Sequence, residues 1–147
     1  LSILLKGETV FTREISYGGT DVTQAIVKGA GLSPDEAEKR KMNFNWERDK
    51  DLQAILERSL RFLVQEVRLS FNYFENHVPA AESPEKLFLS GAASRIDHLQ
   101  ELLQKELSTP TDYWDPTKRL TIAPSVDRAA LDKLKSGMII GIGLAIR

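Results

Sequence analysis

Positions 51 to 75 carry an apolar stripe that only one kind of element can use. Leu52, Ile55, Leu56, Leu60, Leu63, Val67, Phe71 and Phe74 follow one another at steps of one, three or four, the period of one face of an α-helix. A helix this long must touch most of a small domain, so the rest of the chain has to be arranged around it. Phe62, Val64, Leu69 and Tyr73 fall off the stripe, which predicts cover on more than one side. Glu57 and Arg61 are placed to pair across one turn.

The flanking sequence reads as mixed α/β. Leu1 to Leu5 and Val10 to Ile15 are strand-like and are joined by Lys6-Gly7-Glu8, which predicts a β-hairpin. Gly18-Gly19 then precedes a helical pattern from Asp21 to Lys28 with Val22, Ala25 and Ile26 on one side, and Gly29 and Gly31 read as stop signals. Ser33-Pro34-Asp35-Glu36 supplies an N-cap, a first-turn proline and a capping glutamate for a second helix carrying Ala37, Glu38 and Lys41. Met42 to Lys50, with Phe44 and Trp46, has no clear period and reads as a connection or a helix end.

After the stretch from Pro79 to Pro84, Lys86 to Ser90 predicts a short buried strand. Ser94 with Asp97 three residues later predicts a capping box opening a helix through Leu107. Thr111 to Trp114 then reads as a second strand, which gives the order β-α-β, and Tyr113-Trp114 reads as packing at the strand end or, as the alternative, an interaction spot. An irregular connection from Asp115 to Ser125 leads to a short helix at Asp127 to Lys135, and Ser136-Gly137 opens a terminal apolar helix. The run Met138 to Ile146 is about half the roughly 20 residues a membrane-spanning helix needs, so it is expected in a core. Gly137, Gly141 and Gly143 each cost about 1 kcal/mol of helix propensity, which predicts close packing there.

Composition excludes several classes. The net charge is −1, so no overall field draws the chain to nucleic acid or to an anionic membrane. There is no cysteine, which removes disulfides and thiolate metal sites and fits a reducing compartment. The two histidines are His77, at a helix end, and His98, on the polar side of the helix after Ser94. Both read as surface residues, because metal sites and Ser-His-Asp triads need clusters that the sequence does not supply. No P-loop or dinucleotide fingerprint occurs.

The stretch Leu89-Ser90-Gly91-Ala92-Ala93-Ser94-Arg95-Ile96 passes from strand through glycine to a helix start. Such a turn aims free N–H groups and a helix macrodipole at its loop, and Gly91 allows close backbone approach, so it can hold an anion or a hydrogen-bonding ligand. An ordinary connection between strand and helix has the same appearance. Glu38 and Lys41, one turn apart, read by themselves as a solvated ion pair. Gly18-Gly19 reads equally as a plain turn or as a helix start facing a ligand.

Together these motifs carry a resemblance. Phe11-Thr12-Arg13-Glu14-Ile15 with Gly18-Gly19, then Ala37-Glu38-Lys39-Arg40-Lys41, Leu89-Ser90-Gly91, and Gly143-Leu144-Ala145-Ile146-Arg147 occur in the order seen in the PilM family. These are actin-like type IV pilus assembly proteins, similar also to the division protein FtsA. The resemblance spans nearly the whole chain and implies an actin-like, ribonuclease H-like nucleotide-binding α/β fold, of which this chain is the C-terminal half with a mixed sheet flanked by helices. Residues 1–147 are thus expected to form the second actin-like domain, with 30–50 as a reduced second subdomain. The chain begins at Leu1 inside a strand pattern with no initiator methionine, so an upstream domain is expected outside it.

The resemblance implies ATP and Mg as cofactors, with the Mg ligands and both phosphate loops outside this chain. It places Gly91, Ala92 and Ser94 in an adenosine turn, Glu38 and Lys41 at the ribose or base, and Gly18 and Gly19 near the phosphates. A carboxylate suits ribose hydroxyls, since an ionised acceptor makes strong hydrogen bonds. The family usually has two glycines where Gly91-Ala92 stands here, followed by Ala93, and the methyl groups narrow such a pocket. Three readings follow: an ATP-binding conformational switch that is ATPase-like at most, a degenerate scaffold that binds partners without nucleotide, and a metabolic kinase, for which no sugar-binding constellation is found. The implied setting is cytoplasmic and peripheral at the inner membrane. The implied partner is the cytoplasmic tail of a single-span, PilN-like pilus assembly protein; nucleic acid and membrane insertion are not expected, and self-association is left open.

Overall fold

A computed structural model of the protein describes residues 1–78 and 82–145. The expectations for Pro79, Ile146 and Arg147 lie outside these residues. The long helix forms as its period requires: α3 spans Lys50–His77, and its buried line is Leu52, Leu56, Leu60, Val64, Val67, Ser70, Phe71 and Phe74. Both halves of α3 are used. Its N-terminal half joins α1 (Gly19–Ala30) and α2 (Pro34–Met42) in one core with Val22, Ile26, Ala37 and Phe44, and α4 (Leu99–Leu107) adds Leu99, Leu102 and Leu103. Ala37 and Phe44, from the 30–50 stretch, thus share the main core. The C-terminal half carries a smaller core of Val67, Phe71 and Phe74 under Ile3.

Ile3 comes from a hairpin of β1 (Ser2–Leu5) and β2 (Glu8–Thr12). The turn is only Lys6-Gly7, both at positive φ (51° and 88°), and Glu8 already pairs with Leu5. Two residues at positive φ are what a twisted two-residue hairpin loop demands, which explains why the expected three-residue turn is shorter. The register shifts between Ile3 and Leu4, so that Ile3 faces Phe11 while Leu4 faces Thr9; this bulge leaves Val10 as the extra residue. The second pair is β3 (Leu87–Leu89) with β4 (Thr111–Tyr113), parallel and connected through α4. The α/β class and the β-α-β order hold. In place of the single mixed sheet expected, the described residues hold two separate two-stranded sheets, one antiparallel and one parallel.

Several local expectations are corrected. Of the four apolar residues off the stripe, Val64 is buried in the main core as expected, whereas Phe62, Leu69 and Tyr73 are exposed. β3 is half-buried at Leu87 and Leu89 and exposed at Phe88, and the Tyr113-Trp114 pair is exposed. Gly29 is not a stop signal: it lies inside α1, and a Cβ there would come 2.8 Å from Ile55 Cδ1, so it permits close contact of α1 with α3. Gly31 does end α1, in the left-handed conformation at φ 66°. After the irregular connection, α5 (Arg128–Leu134) is capped by the Asp127 carboxylate, and a 3₁₀ turn at Lys135–Gly137 leads to α6 (Ile139–Ala145). No residue of α6 is buried, Ile140 is 78% exposed, and Gly137, Gly141 and Gly143 have nothing within 4 Å of a built Cβ. The expected close packing of this segment is therefore absent among the described residues. No described helix is long and apolar enough to cross a membrane.

Candidate functional site

The path into the site is set by residues 13 to 17, which run along α3. The Arg13 guanidinium donates to Glu66 Oε2 at 2.6 Å and to Ser70 Oγ at 3.1 Å, and Ser70 is completely buried. Tyr17 Oη lies 2.7 Å from Ser59 Oγ, and burial pushes the phenol pKa above its ordinary value. The chain is thereby delivered at a defined place into α1. Gly18, extended at φ −157°, has no side chain with which to cap the helix, although its own N–H donates to Asp21 Oδ2 at 2.7 Å. The N–H groups of Gly19 and Thr20 find no acceptor among the described residues, so the first turn keeps the donors and partial positive charge that suit an anionic or hydroxyl ligand.

The second component comes from α2, whose capping box forms as expected, with Ser33 Oγ accepting from the Glu36 N–H. That start sets the rotation of the helix and brings Glu38 and Lys41 over the first turn of α1. Lys41 Nζ donates to Glu38 Oε2 at 2.7 Å, to Thr23 Oγ1 at 2.8 Å and to the Gly19 carbonyl at 3.0 Å. An ammonium has three protons, so all are committed to the protein, and the Lys41 side chain is only 10% exposed. Lys41 is therefore a tether between α2 and α1. Glu38 differs. Both of its contacts, from Lys41 and from Thr23 Oγ1 at 2.5 Å, fall on Oε2, and its side chain is 48% exposed. Oε1 is left as an acceptor with no partner among the described residues. The Lys41 hydrogen bond, followed by that of Thr23, holds the Glu38 carboxyl below its ordinary pKa, so it is an anion at neutral pH.

The third component is the turn after β3. It is not the helix start that Ser94 and Asp97 suggest. Ala92–Arg95 is a 3₁₀ turn, the chain breaks at Ile96, and α4 begins only after His98, which is left-handed at φ 70°. The reason lies in Gly91 and Ile96. Gly91 adopts φ 90°, ψ 161°, a shape favourable to glycine, and buried Ile96 joins the core before the helix begins. Ser94, also buried, donates its hydroxyl to the Gly91 carbonyl at 2.7 Å, so it shapes the turn instead of capping a helix. His98 stacks on Trp46 with ring centroids 4.0 Å apart, and Asp97 Oδ2 accepts the Trp46 N–H at 2.7 Å.

The three components meet. A Cβ built on Gly19 would lie 3.4 Å from both the Ala93 methyl and Lys41 Nζ. Gly19, Lys41 and Ala93 therefore meet directly, with Glu38 joined to them through Lys41; Gly18 precedes Gly19 in the chain, and Gly91, Ala92 and Ser94 lie in the same turn as Ala93. The residues missed in the sequence are Thr23, which lies one helical turn beyond Gly19, and Ala93, which forms the contact across the junction. The donor set suits a neutral hydroxyl-bearing group beside a carboxylate and helix N–H groups. It does not suit a cation, and no group of three or more His, Asp or Glu side chains that could hold a metal occurs among the described residues.

Comparison with known proteins decides the family. The model of the type IV pilus assembly protein PilM family matches residues 1–147. The chain belongs to the PilM family. A solved structure described as the PilM-PilN type IV pilus biogenesis complex contains a chain that matches with a TM-score of 0.84 and 25% identity. The match covers 97% of this chain and 40% of that one, so this chain spans less than half the length of its solved PilM relative. The actin-like fold of the PilM family is thus the fold in which the junction sits.

Proposed function

We propose that this chain is the nucleotide-binding half of an actin-like protein of the type IV pilus inner-membrane platform, in which bound ATP acts as a conformational switch. The observation that carries the reading is the junction of Gly19, Thr23, Glu38, Lys41 and Ala93, and above all the unused Oε1 of an ionised Glu38 held in place by Lys41. Ribose hydroxyls would donate to Glu38 Oε1. The Gly91–Ser94 turn would border the base, and the first turn of α1 at Gly18-Gly19 would face the phosphates. ATP supplies the binding energy that favours one arrangement of two domains over another. Mg and the phosphate loops would be supplied by polypeptide outside these residues.

As in the solved complex that pairs PilM with PilN, the partner would be a PilN-like protein, through its cytoplasmic tail, with this protein peripheral at the inner membrane. A second reading, a partner-binding scaffold without nucleotide, is favoured by one feature, the Ala93 methyl directed at Gly19. Calorimetric titration of Mg-ATP into the full-length protein and its Glu38→Ala variant separates the two. Saturable binding that weakens about tenfold or more in the variant, as expected for loss of a charged hydrogen-bond acceptor, supports the switch and the ribose contact. Binding that survives the change removes Glu38 from the site. No binding at millimolar nucleotide leaves the scaffold.

A further inference from the structure

We propose that Arg95 and Ser136 are positioning residues for the nucleotide turn, and that through them occupancy of the turn orders the C-terminal segment Lys135–Ala145; the proposal rests on the nucleotide reading above. The Gly91 N–H donates to the Ser136 carbonyl at 2.7 Å, and Arg95 Nε donates to Ser136 Oγ at 3.0 Å. A second guanidinium nitrogen of Arg95 donates to the Asp132 carbonyl at 2.9 Å, and the guanidinium carbon lies 5.9 Å from the Tyr113 ring centre. Both ends of the 3₁₀ turn are thus fastened to one serine. Ser136 is 3% exposed although its neighbours Gly137 and Met138 are open to solvent, and its side chain and carbonyl are both bonded to the turn.

Gly91 holds a backbone shape that needs support from both sides. Its carbonyl accepts from the Ser94 N–H and hydroxyl, and its N–H has the Ser136 carbonyl. A ligand that rests on Ala92 and Ala93 requires that shape, and the shape requires Ser136 in place. The attachments of the C-terminal segment are concentrated at its root. Lys135 Nζ reaches Asp115 Oδ2 at 2.8 Å and Asp132 Oδ1 at 3.0 Å, whereas Met138, Ile140 and Leu144 beyond it are exposed. The segment is therefore held at its root from two sides, by the turn through Ser136 and Arg95 and by Asp115 through Lys135. Coupling of this kind is reciprocal: whatever steadies the turn steadies the segment, and the reverse.

Hydrogen exchange and Mg-ATP affinity of the full-length protein test this, with Arg95→Met, Ser136→Ala and, as a control on the exposed connection, Arg119→Met. Amides 135–145 should become more protected when Mg-ATP saturates the unmodified and Arg119→Met proteins. Arg95→Met should bind about tenfold more weakly and show no added protection even at saturation, a difference that a purely structural role would not produce. Ser136→Ala, which keeps the carbonyl for Gly91, carries the same expectation in milder form and serves if Arg95→Met fails to fold. Unchanged affinity in both variants, or exchange at 135–145 indifferent to nucleotide in a protein that binds it, overturns the coupling alone. A full-length protein that binds no Mg-ATP overturns the nucleotide reading and this proposal with it.

Discussion

Glu38 and Gly29 show how much a single position decides here. The Glu38 carboxyl lies below its ordinary value of 4.5 because Lys41 and Thr23 donate to its ionised form. A carboxyl lowered in the folded state adds stability that is complete above 4.5 and is lost as pH falls through the lowered value. The α1–α2 junction should therefore loosen in acid. An NMR titration of the Glu38 side-chain carbon should show a midpoint below 4.5, and Glu38→Gln should remove that part of the pH dependence of the melting temperature. Gly29 is a matter of space. A methyl there meets three Ile55 carbons at 2.8 to 3.0 Å. Overpacking of about 1–3 kcal/mol outweighs the roughly 1 kcal/mol that alanine gains in a helix, so Gly29→Ala should lower the urea midpoint. The ion pair Glu38–Lys41 was readable from its spacing. Thr23 was not, because it meets Glu38 and Lys41 from 15 and 18 residues away, and no local pattern encodes a contact between helices.

Two capping boxes of the same appearance had different outcomes, and the difference lies in their neighbours. At Ser33 the cap residue itself is extended and Pro34 fits the first turn, so α2 starts as read. At Ser94 the turn imposed by Gly91 and the burial of Ile96 come first, and the helix starts five residues later than Ser94, at Leu99. The β-α-β order was legible because two short apolar runs flank an amphipathic one; the 3₁₀ turn was not, because it depends on Ser136, 45 residues beyond Gly91. Gly91→Ala should cost about 1–3 kcal/mol, the usual penalty for a side chain in such backbone. Circular dichroism with chemical denaturation would read it, and α4 should survive. α3 was the most legible element, since its stripe continues from Leu52 to Phe74, about six turns at 3.6 residues each. Leu56 is fully buried at its centre, and Leu56→Ala should lower stability by about 2–5 kcal/mol, seen as a lower denaturant midpoint with little change in slope.

The described residues form a well-packed spine with a loosely held end. The Asp115 carboxyl is held down to about 2 from 3.8, first by the Lys135 hydrogen bond and then by Thr117. Its contribution is complete above 3.8 and disappears as pH falls toward 2, so the C-terminal segment should detach in acid while the α3 core persists. Amide exchange at 128–145 should rise below pH 4 before that of 52–64, and Asp115→Asn should bring the change to neutral pH. The α/β class and the helical spine were accessible from periodicity and resemblance, whereas the contact of Gly19 with Ala93 was not, because it joins residues 74 positions apart. The exposure of α6 was not, since its glycines pointed to close packing and the described residues place nothing against them. The two separate strand pairs carry a practical consequence. In a sheet of two strands every strand is an edge, and here Leu4, Leu5, Phe88 and Trp114 lie exposed on or beside those edges around one apolar groove. Produced as these 147 residues alone, the polypeptide would recruit strands from other copies of itself and leave solution as aggregate.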